Sequence, residues 1–221
     1  MKRRGRISTI IFCTVLLVII ISGASLIISC TDEKITTGEN KLTTEVTPQP
    51  GDTIIQVNSG LLKPLTLDEL ITLSDAIVIG TVTEILPSQQ IVSEAGKVDI
   101  YTDVLVQVER YLYGKDESSI IAVRVYNGRV GNTVKIGNEE PVFTVGEKTF
   151  LLLISLQDEP VLGSENIGVS AHYRVCGAYQ GKGSYVDGVV KGLRPDNYQE
   201  ENQNYTISID VIEDKILLIK V

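Results

Sequence analysis

The spacing of apolar residues divides the chain into three parts. Residues 7–28 form an apolar run without a charged residue, residues 31–52 are polar with few large apolar groups, and shorter apolar stretches between turn-forming residues follow. These patterns are typical of a membrane segment, a flexible tether and a folded domain. The predicted boundaries are 1–29 for the signal or membrane segment, 30–52 for the tether and 53–221 for a single domain.

A short helix is predicted where the folded domain begins. Thr66 is followed three residues later by Glu69, which is the spacing of a capping box. Apolar residues then recur at helical spacing, at Leu67, Leu70, Ile71 and Leu73. The pattern predicts a helix over Leu67–Leu73.

Most of the remaining domain has the pattern of β-strands. Ala76–Ile79 is dense in β-branched residues, and Gly80 inside this stretch indicates a bulge or bend. Lys148–Leu156 is more continuously apolar than the other strand segments, which predicts a central strand covered on both faces. Asp187-Gly188 matches a two-residue hairpin turn inside a closing meander of the segments "AHYRVCGAY", "SYV" and "VVKG". About seven strands and few helices favour a small closed or nearly closed barrel.

The last segment, "ISIDVIEDKILLIKV", fits two patterns. Ile207, Ile209 and Val211 alternate as in a strand, whereas Ile209, Ile212 and Ile216 have helical spacing. Ser208 as an N-cap with Asp210 in the first turn favours a C-terminal helix.

The first thirty residues indicate delivery across a membrane. Four basic residues precede the apolar run, and such a head stays cytoplasmic. The run ends in "LIISC", which resembles the lipobox of bacterial lipoproteins. The resemblance implies a thioether-linked diacylglycerol on Cys30, with palmitate among the expected acyl chains, and cleavage before this cysteine. The alternative is an uncleaved transmembrane helix over residues 7–28, since about 20 apolar residues span a bilayer core. Either anchor places the domain on the extracytoplasmic side of the cell membrane.

The charge of the chain argues against nucleic acid as a partner. The formal net charge is -8, and removal of the four N-terminal basic residues leaves 16 basic against 28 acidic side chains, or -12. A surface this negative repels phosphate backbones.

Between Leu65 and Val190 the chain contains the stretches "LTLDEL", "SDAIVIGTV", "VERYLYG", "VRVYNGRVG", "GEKTFLLLI" and "GAYQGKGSY". Together they resemble a family of uncharacterised bacterial and archaeal envelope domains. The resemblance implies a mainly β fold, an OB-like Greek-key barrel of about six to eight strands. It implies no known activity.

Candidate chemistry is sparse. The segment "GAYQGKGS" lacks the glycine spacing and the following helix of a phosphate-binding loop, so a hairpin turn is predicted. His172 and Cys176 are separated by roughly 13 Å along one strand, too far for a nucleophile–base pair. Gly168-Val169-Ser170 lacks the second glycine of a nucleophile elbow. Cys176 is expected to be a small buried hydrophobic residue.

Acidic residues cluster at two places, which could bind Ca²⁺ loosely but lack the spacing of a dedicated loop. They are expected on the solvated surface: Glu139, Glu140, Asp196, Glu200 and Glu201. A single histidine and no paired cysteines also argue against zinc. We therefore predict no catalytic, cofactor-binding or metal-binding residues, and Cys30 as the one modified residue.

Three functions remain open. The first is a non-catalytic binding module of the cell envelope that takes a protein, peptide or glycan partner. The second is a hydrolase that uses carboxylates from separate strands, which two carboxylates converging in one cleft would favour. The third is protease inhibition, which rests on analogy with other OB-like inhibitors.

Overall fold

The computed structural model describes residues 42–57, 63–92, 96–114, 118–156, 169, 171–195 and 205–220. All of them belong to the unit Asn40–Val221. Among the described residues, neither α-helix combines the length and the hydrophobicity needed to cross a lipid bilayer.

Two α-helices, one 3₁₀ helix and twelve strands lie within the described residues. The helices are α1 Leu67–Leu73, α2 Ile209–Lys220 and the 3₁₀ helix Ala178–Gly181. The strands are β1 Thr53–Val57, β2 Ala76–Ile85, β3 Gln89–Val92, β4 Val98–Tyr113, β5 Ile120–Val125, β6 Gly128–Val130, β7 Thr133–Gly137, β8 Lys148–Ser155, β9 Ala171–Val175, β10 Lys182–Val186, β11 Val189–Lys191 and β12 Thr206–Ser208.

Five of these strands pair into a ring. β2 pairs with β4 and β8, β4 pairs with β5, β5 pairs in parallel with β9, and β9 pairs with β8. Numbered along the chain, the ring strands follow the order 1-2-3-5-4-1, which is that of a five-stranded Greek-key OB barrel. The predicted mainly β, OB-like barrel is confirmed. Its ring has five strands, and the described residues hold twelve strands in all, compared with the six to eight expected.

The additional strands lie outside the ring. β10, β11 and β12 extend the sheet beyond β8, β3 pairs with β4, and β1, β7 and β6 form a separate three-stranded sheet. All seven of these strands have only three to five residues, so an alternation of apolar and polar residues is a weak signal for them in the sequence.

Strand β8 separates two hydrophobic cores. Leu151 and Leu153 point into the barrel, where β-branched residues of the other ring strands fill the interior. Phe150 and Leu152 point outward, against residues of α1 and α2. Both faces of the strand are therefore buried, as predicted from its continuous apolar sequence.

The predicted helices are confirmed at both ends of the domain. The Thr66 hydroxyl accepts from the Glu69 N–H and the Glu69 carboxylate accepts from the Thr66 N–H, which completes the capping box of α1. At the start of α2 the Ser208 hydroxyl accepts from the Asp210 N–H at 3.4 Å. Three isoleucines of α2 are buried at helical spacing, at positions 209, 212 and 216.

Two glycine positions behave as predicted. The register of β2 against β4 shifts between Ile79 and Gly80, and a Cβ at Gly80 would lie 2.6 Å from the Gln107 carbonyl oxygen. Asp187 and Gly188 both have positive φ in the turn between β10 and β11, as a two-residue hairpin requires.

The predicted meander at the end of the barrel is wrong in its first step. β9 and β10 both pair with β8 on the edge away from β2, β9 at residues 153–155 and β10 at residues 149–151, so they follow one another along β8 and do not pair with each other. The segment between them forms the 3₁₀ helix Ala178–Gly181 instead of the predicted hairpin turn. Only β10, β11 and β12 follow one another as a meander.

Residues 42–52, here called the strap, pack on the domain, although the polar sequence predicts a tether over 30–52. Thr44 is buried, and its hydroxyl accepts from the Phe143 N–H at 2.9 Å. Asp52 pairs with Arg129 through both carboxylate oxygens, at 2.7 and 2.8 Å. Polar contacts hold the strap in place. Because the strap has few apolar residues, its hydrophobic pattern did not indicate that it packs on the domain.

Candidate binding face

Charged and aromatic side chains cover the outside of the barrel at β4 and β5. Side chains along a strand alternate between its two faces. Because Val104 and Val123 fill the barrel interior, their neighbours Asp103 and Arg124 face outward. We call this outward surface the polar face, comprising Asp99, Tyr101, Asp103, Arg124 and Tyr126 with His172 from β9.

A buried cluster of Asp103, Arg124 and His172 lies at the centre of the polar face. Asp103 and Arg124 are directly opposite each other in the β4–β5 pairing. The Arg124 Nε and Nη2 donate to the two Asp103 carboxylate oxygens, each at 2.9 Å. His172 Nε2 lies 3.3 Å from Asp103 Oδ1, and the Arg124 guanidinium is 3.7 Å from the centre of the Tyr101 ring. The bidentate contact fixes the orientation of both charged groups.

The cluster keeps Asp103 ionised despite its burial. Asp103 is 2% exposed and Arg124 is 4% exposed. Burial alone would raise the pKa of Asp103, but hydrogen bonds from His172 and Arg124, together with the charge of Arg124, hold this pKa below its ordinary value of 3.8.

A cavity of about 370 Å³ opens between the start of β4 and strand β7. We call it the mixed-charge cavity because acidic and basic side chains both line it. Its polar lining comprises Lys97, Asp99, Tyr126, Lys135, Glu139 and Glu140. Ile55, Val98 and Ala178 contribute apolar surface.

Lys135 is the most deeply buried charged residue of the mixed-charge cavity, at 5% exposed. Its ammonium group donates to Asp99 Oδ1 and lies 5.1 Å from the centre of the Tyr126 ring. Strand β7 holds Lys135 between Ile55 of β1 and Gly128 of β6. The lysine, the carboxylate and the aromatic ring are therefore held together before any ligand arrives.

Glu140 is not the solvated surface residue that the sequence predicts. It is half-buried, and its Oε2 accepts from the Tyr126 N–H at 3.0 Å. Burial raises the pKa of Glu140 above its ordinary value of 4.5, although the Tyr126 N–H and the charges of Lys135 and Arg174 act in the opposite direction. Of the three acidic residues that line the mixed-charge cavity, Asp99 is thus in an ion pair and Glu140 is a carboxyl group whose ionised form burial disfavours.

The other residues singled out in the sequence are placed as follows. Cys176 is fully buried among residues of both helices, as predicted, and burial raises the pKa of its thiol. His172 lies on the polar face, so His172 and Cys176 do not contact each other. Among the described residues no group of three or more potential metal ligands is present. Cys30, Gly168, Ser170, Asp196, Glu200 and Glu201 lie outside the described residues.

Sequence reasoning missed the polar face, yet a signal was present. Asp103 interrupts an otherwise apolar stretch at "YTDVLV", and Arg124 does the same at "AVRVY". A charged residue inside a strand that is otherwise apolar needs a partner of opposite charge. Asp103 and Arg124 meet because of the pairing register of β4 with β5. This register is set by the barrel and cannot be read from the sequence.

Comparison with known proteins gives no match, either to a protein-family model or to a curated protein sequence.

Proposed function

We propose that this protein is a membrane-anchored, extracytoplasmic binding module of the cell envelope that takes a glycan in the mixed-charge cavity, which Asp99 and Tyr126 of the polar face line. The anchor is the N-terminal segment, lipidated at Cys30 or retained as an uncleaved helix. The mixed-charge cavity is the observation that supports binding, because it combines donors, acceptors and an aromatic ring in one concave place.

The chemistry of this lining suits a sugar. A sugar ring presents C–H groups on its faces and hydroxyl groups around its edge, and each hydroxyl both donates and accepts. The Tyr126 ring offers a surface for the C–H groups, while Lys135 donates and Asp99 accepts. A cavity with charges of one sign alone would favour an ion of the opposite charge.

The fold gives a second line of support, by analogy. OB barrels bind oligosaccharides and oligonucleotides on the face of their second and third strands. Counted along the ring, these strands are β4 and β5, which carry the polar face. The negative charge of the chain disfavours the oligonucleotide and leaves the sugar.

Affinity capture tests the proposal with the full chain in detergent as bait and solubilised envelope material as the source. The substitutions Asp99→Asn and Tyr126→Ala should reduce capture of a carbohydrate-containing partner. Asp68→Asn serves as the matched control, because Asp68 also pairs with a lysine, Lys215, but lies on α1. A captured partner that glycosidases leave intact and proteases destroy would contradict glycan recognition, as would equal capture by all variants.

A hydrolase is the second candidate, favoured by the carboxyl groups of Asp99 and Glu140 in one cavity. Asp99 is ion-paired, whereas burial raises the pKa of Glu140, and such a contrast is how enzymes separate a carboxylate from a general acid. If the full chain hydrolyses a captured glycan, Glu140→Gln should abolish turnover while binding persists. Unchanged turnover in that variant would exclude Glu140 as the acid.

A further inference from the structure

Strand β1 lies at an edge of the three-stranded sheet. Within the part of the chain that the structure describes, β1 pairs with β7 alone. It has five residues, whereas the other edge strands of that part are shorter, with four residues in β3 and three each in β6 and β12. Its register with β7 is continuous from Thr53 to Val57. The other side of β1 is therefore a regular row of backbone groups that no described strand covers.

The hydrogen bonds to β7 show which backbone groups of β1 point to the open edge. The Thr53 N–H donates to the Asn132 carbonyl at 2.8 Å, so the backbone groups of Thr53 point towards β7. Successive residues of a strand direct their backbone groups to alternate edges, so Ile55 also points towards β7. Ile54 and Gln56 therefore direct two N–H and two carbonyl groups to the open edge. Both residues are exposed, Ile54 at 51%.

β1 has none of the features that usually keep edge strands apart. Charged residues, prolines and bulges protect such edges in other proteins. The strand reads "TIIQV", without a charge or a proline. Two neighbouring charges are balanced within the chain, since Asp52 before the strand pairs with Arg129 and Lys135 on β7 pairs with Asp99. Two copies of a chain with a net charge of -8 repel each other, but this repulsion is weak where the surface is locally uncharged.

We infer that β1 pairs with β1 of a second copy of this chain, in antiparallel orientation across a two-fold axis. With Ile55 on the axis, Ile54 of one copy lies opposite Gln56 of the other. The two residues of such a pair exchange both of their N–H···O bonds, and the two-fold symmetry repeats this exchange. All four outward backbone groups then have a partner. The strand is thus complementary to itself, which favours a second copy over a peptide from another protein.

The pairing brings two mixed-charge cavities next to each other. Ile55 is opposite Lys135 in the pairing of β1 with β7, and both residues line this cavity. Ile55 of the second copy lies beside Ile55 of the first, across the axis. One strand pair is smaller than the interface of a stable dimer, which buries about 1,200–2,000 Å², so we expect a weak and reversible dimer. The inference concerns assembly and does not depend on what the cavity binds.

Disulfide cross-linking of the full chain in detergent tests this pairing. Residues opposite each other in a non-hydrogen-bonded pair have Cα atoms about 4.5 Å apart, which lies within the range of about 4.4–6.8 Å found in disulfides. Ile55→Cys should therefore link two copies under mild oxidation. Thr53→Cys is the matched control on the same strand, because the two copies of this position are at least about 13 Å apart. Mass spectrometry of the linked peptide identifies the position, since the chain has three cysteines of its own.

A proline on the open edge should prevent the pairing without breaking the sheet. Ile54→Pro removes an N–H that points away from β7, and edge strands tolerate proline at such positions. Added to Ile55→Cys, it should abolish the cross-link, and far-UV circular dichroism checks that the fold is retained. Ile54→Lys leaves the backbone intact and adds a charge that keeps edges apart, so it should also reduce the cross-link.

We expect a dimer linked at position 55 in Ile55→Cys and its absence in Thr53→Cys. Equal cross-linking of the two variants would overturn the inference, because it would reflect random collision. Absence of a disulfide at position 55 would overturn it as well, and so would a cross-link that survives both Ile54→Pro and Ile54→Lys. A loss of glycan capture with the cross-link intact would count only against the proposed function.

Discussion

Asp103 has an unusual environment for a carboxylate, since it is buried in a sheet and is held by a single bidentate arginine. Substitution by Asn leaves the Arg124 guanidinium buried without its counter-charge. Removing one partner of such a pair typically costs about 3–5 kcal/mol. We expect Asp103→Asn to lower the free energy of unfolding by this amount in denaturant titrations. The exposed pair Asp68–Lys215 provides the control: Asp68→Asn should cost less than about 1 kcal/mol.

Asp103 should also make the stability of the fold depend on pH. Because the folded state holds the pKa of Asp103 below 3.8, its contribution to stability is present above that pH and is lost as the pH falls through the folded pKa. The stability difference between the wild type and Asp103→Asn should therefore shrink below about pH 4. A difference that stays constant from pH 7 to pH 3 would show that ionisation of Asp103 does not stabilise the fold.

The pH dependence of stability that we expect from Glu140 has the opposite sign to that of Asp103. Burial raises its pKa above 4.5, so the folded state is most stable when the group is protonated and loses stability as the pH rises through the folded pKa. Glu140→Gln keeps an acceptor for the Tyr126 N–H without the charge. We expect this variant to match the wild type in acid and to be the more stable protein at pH 7, in thermal unfolding followed by circular dichroism. A less stable variant at pH 7 would contradict the assigned direction.

At the scale of elements, the strap shows how polar contacts extend the domain beyond its apolar pattern. Thr44→Ala removes the acceptor of the Phe143 N–H and leaves this buried donor unpaired, which typically costs about 1–3 kcal/mol. Thr47→Ala is the matched control, since Thr47 is exposed in the same strap. We expect urea titration to show destabilisation of the first variant alone. Equal stabilities would mean that the strap does not contribute to the fold.

Elements governed by local rules were predictable from the sequence, and elements governed by distant pairing were not. The capping box and apolar spacing of α1 lie within eight residues, and the turn at Asp187-Gly188 needs only two residues. The path from β9 to β10 depends on both strands pairing with β8. Likewise the candidate site joins Asp99 on β4 to Lys135 on β7 and Glu140 beyond it, and no local pattern specifies that meeting.

At the scale of the whole molecule, the proposed anchor can be tested by its covalent structure. If Cys30 is lipidated, mass spectrometry of the protein from its native membrane should find that residues 1–29 are absent and that acyl mass is attached to Cys30. Cys30→Ser should retain the N-terminus and remain in the membrane through residues 7–28. An intact, unmodified wild-type N-terminus would reject lipidation and favour the transmembrane helix.

A glycan array probed with the full chain in detergent tests the proposed glycan binding in the mixed-charge cavity most directly. The wild type and Asp68→Asn should bind the same class of oligosaccharide in a saturable manner. Asp99→Asn and Tyr126→Ala should lose that signal, because they remove the acceptor and the ring of the mixed-charge cavity. Absence of any saturable glycan, or a signal that survives both substitutions, would contradict the claim.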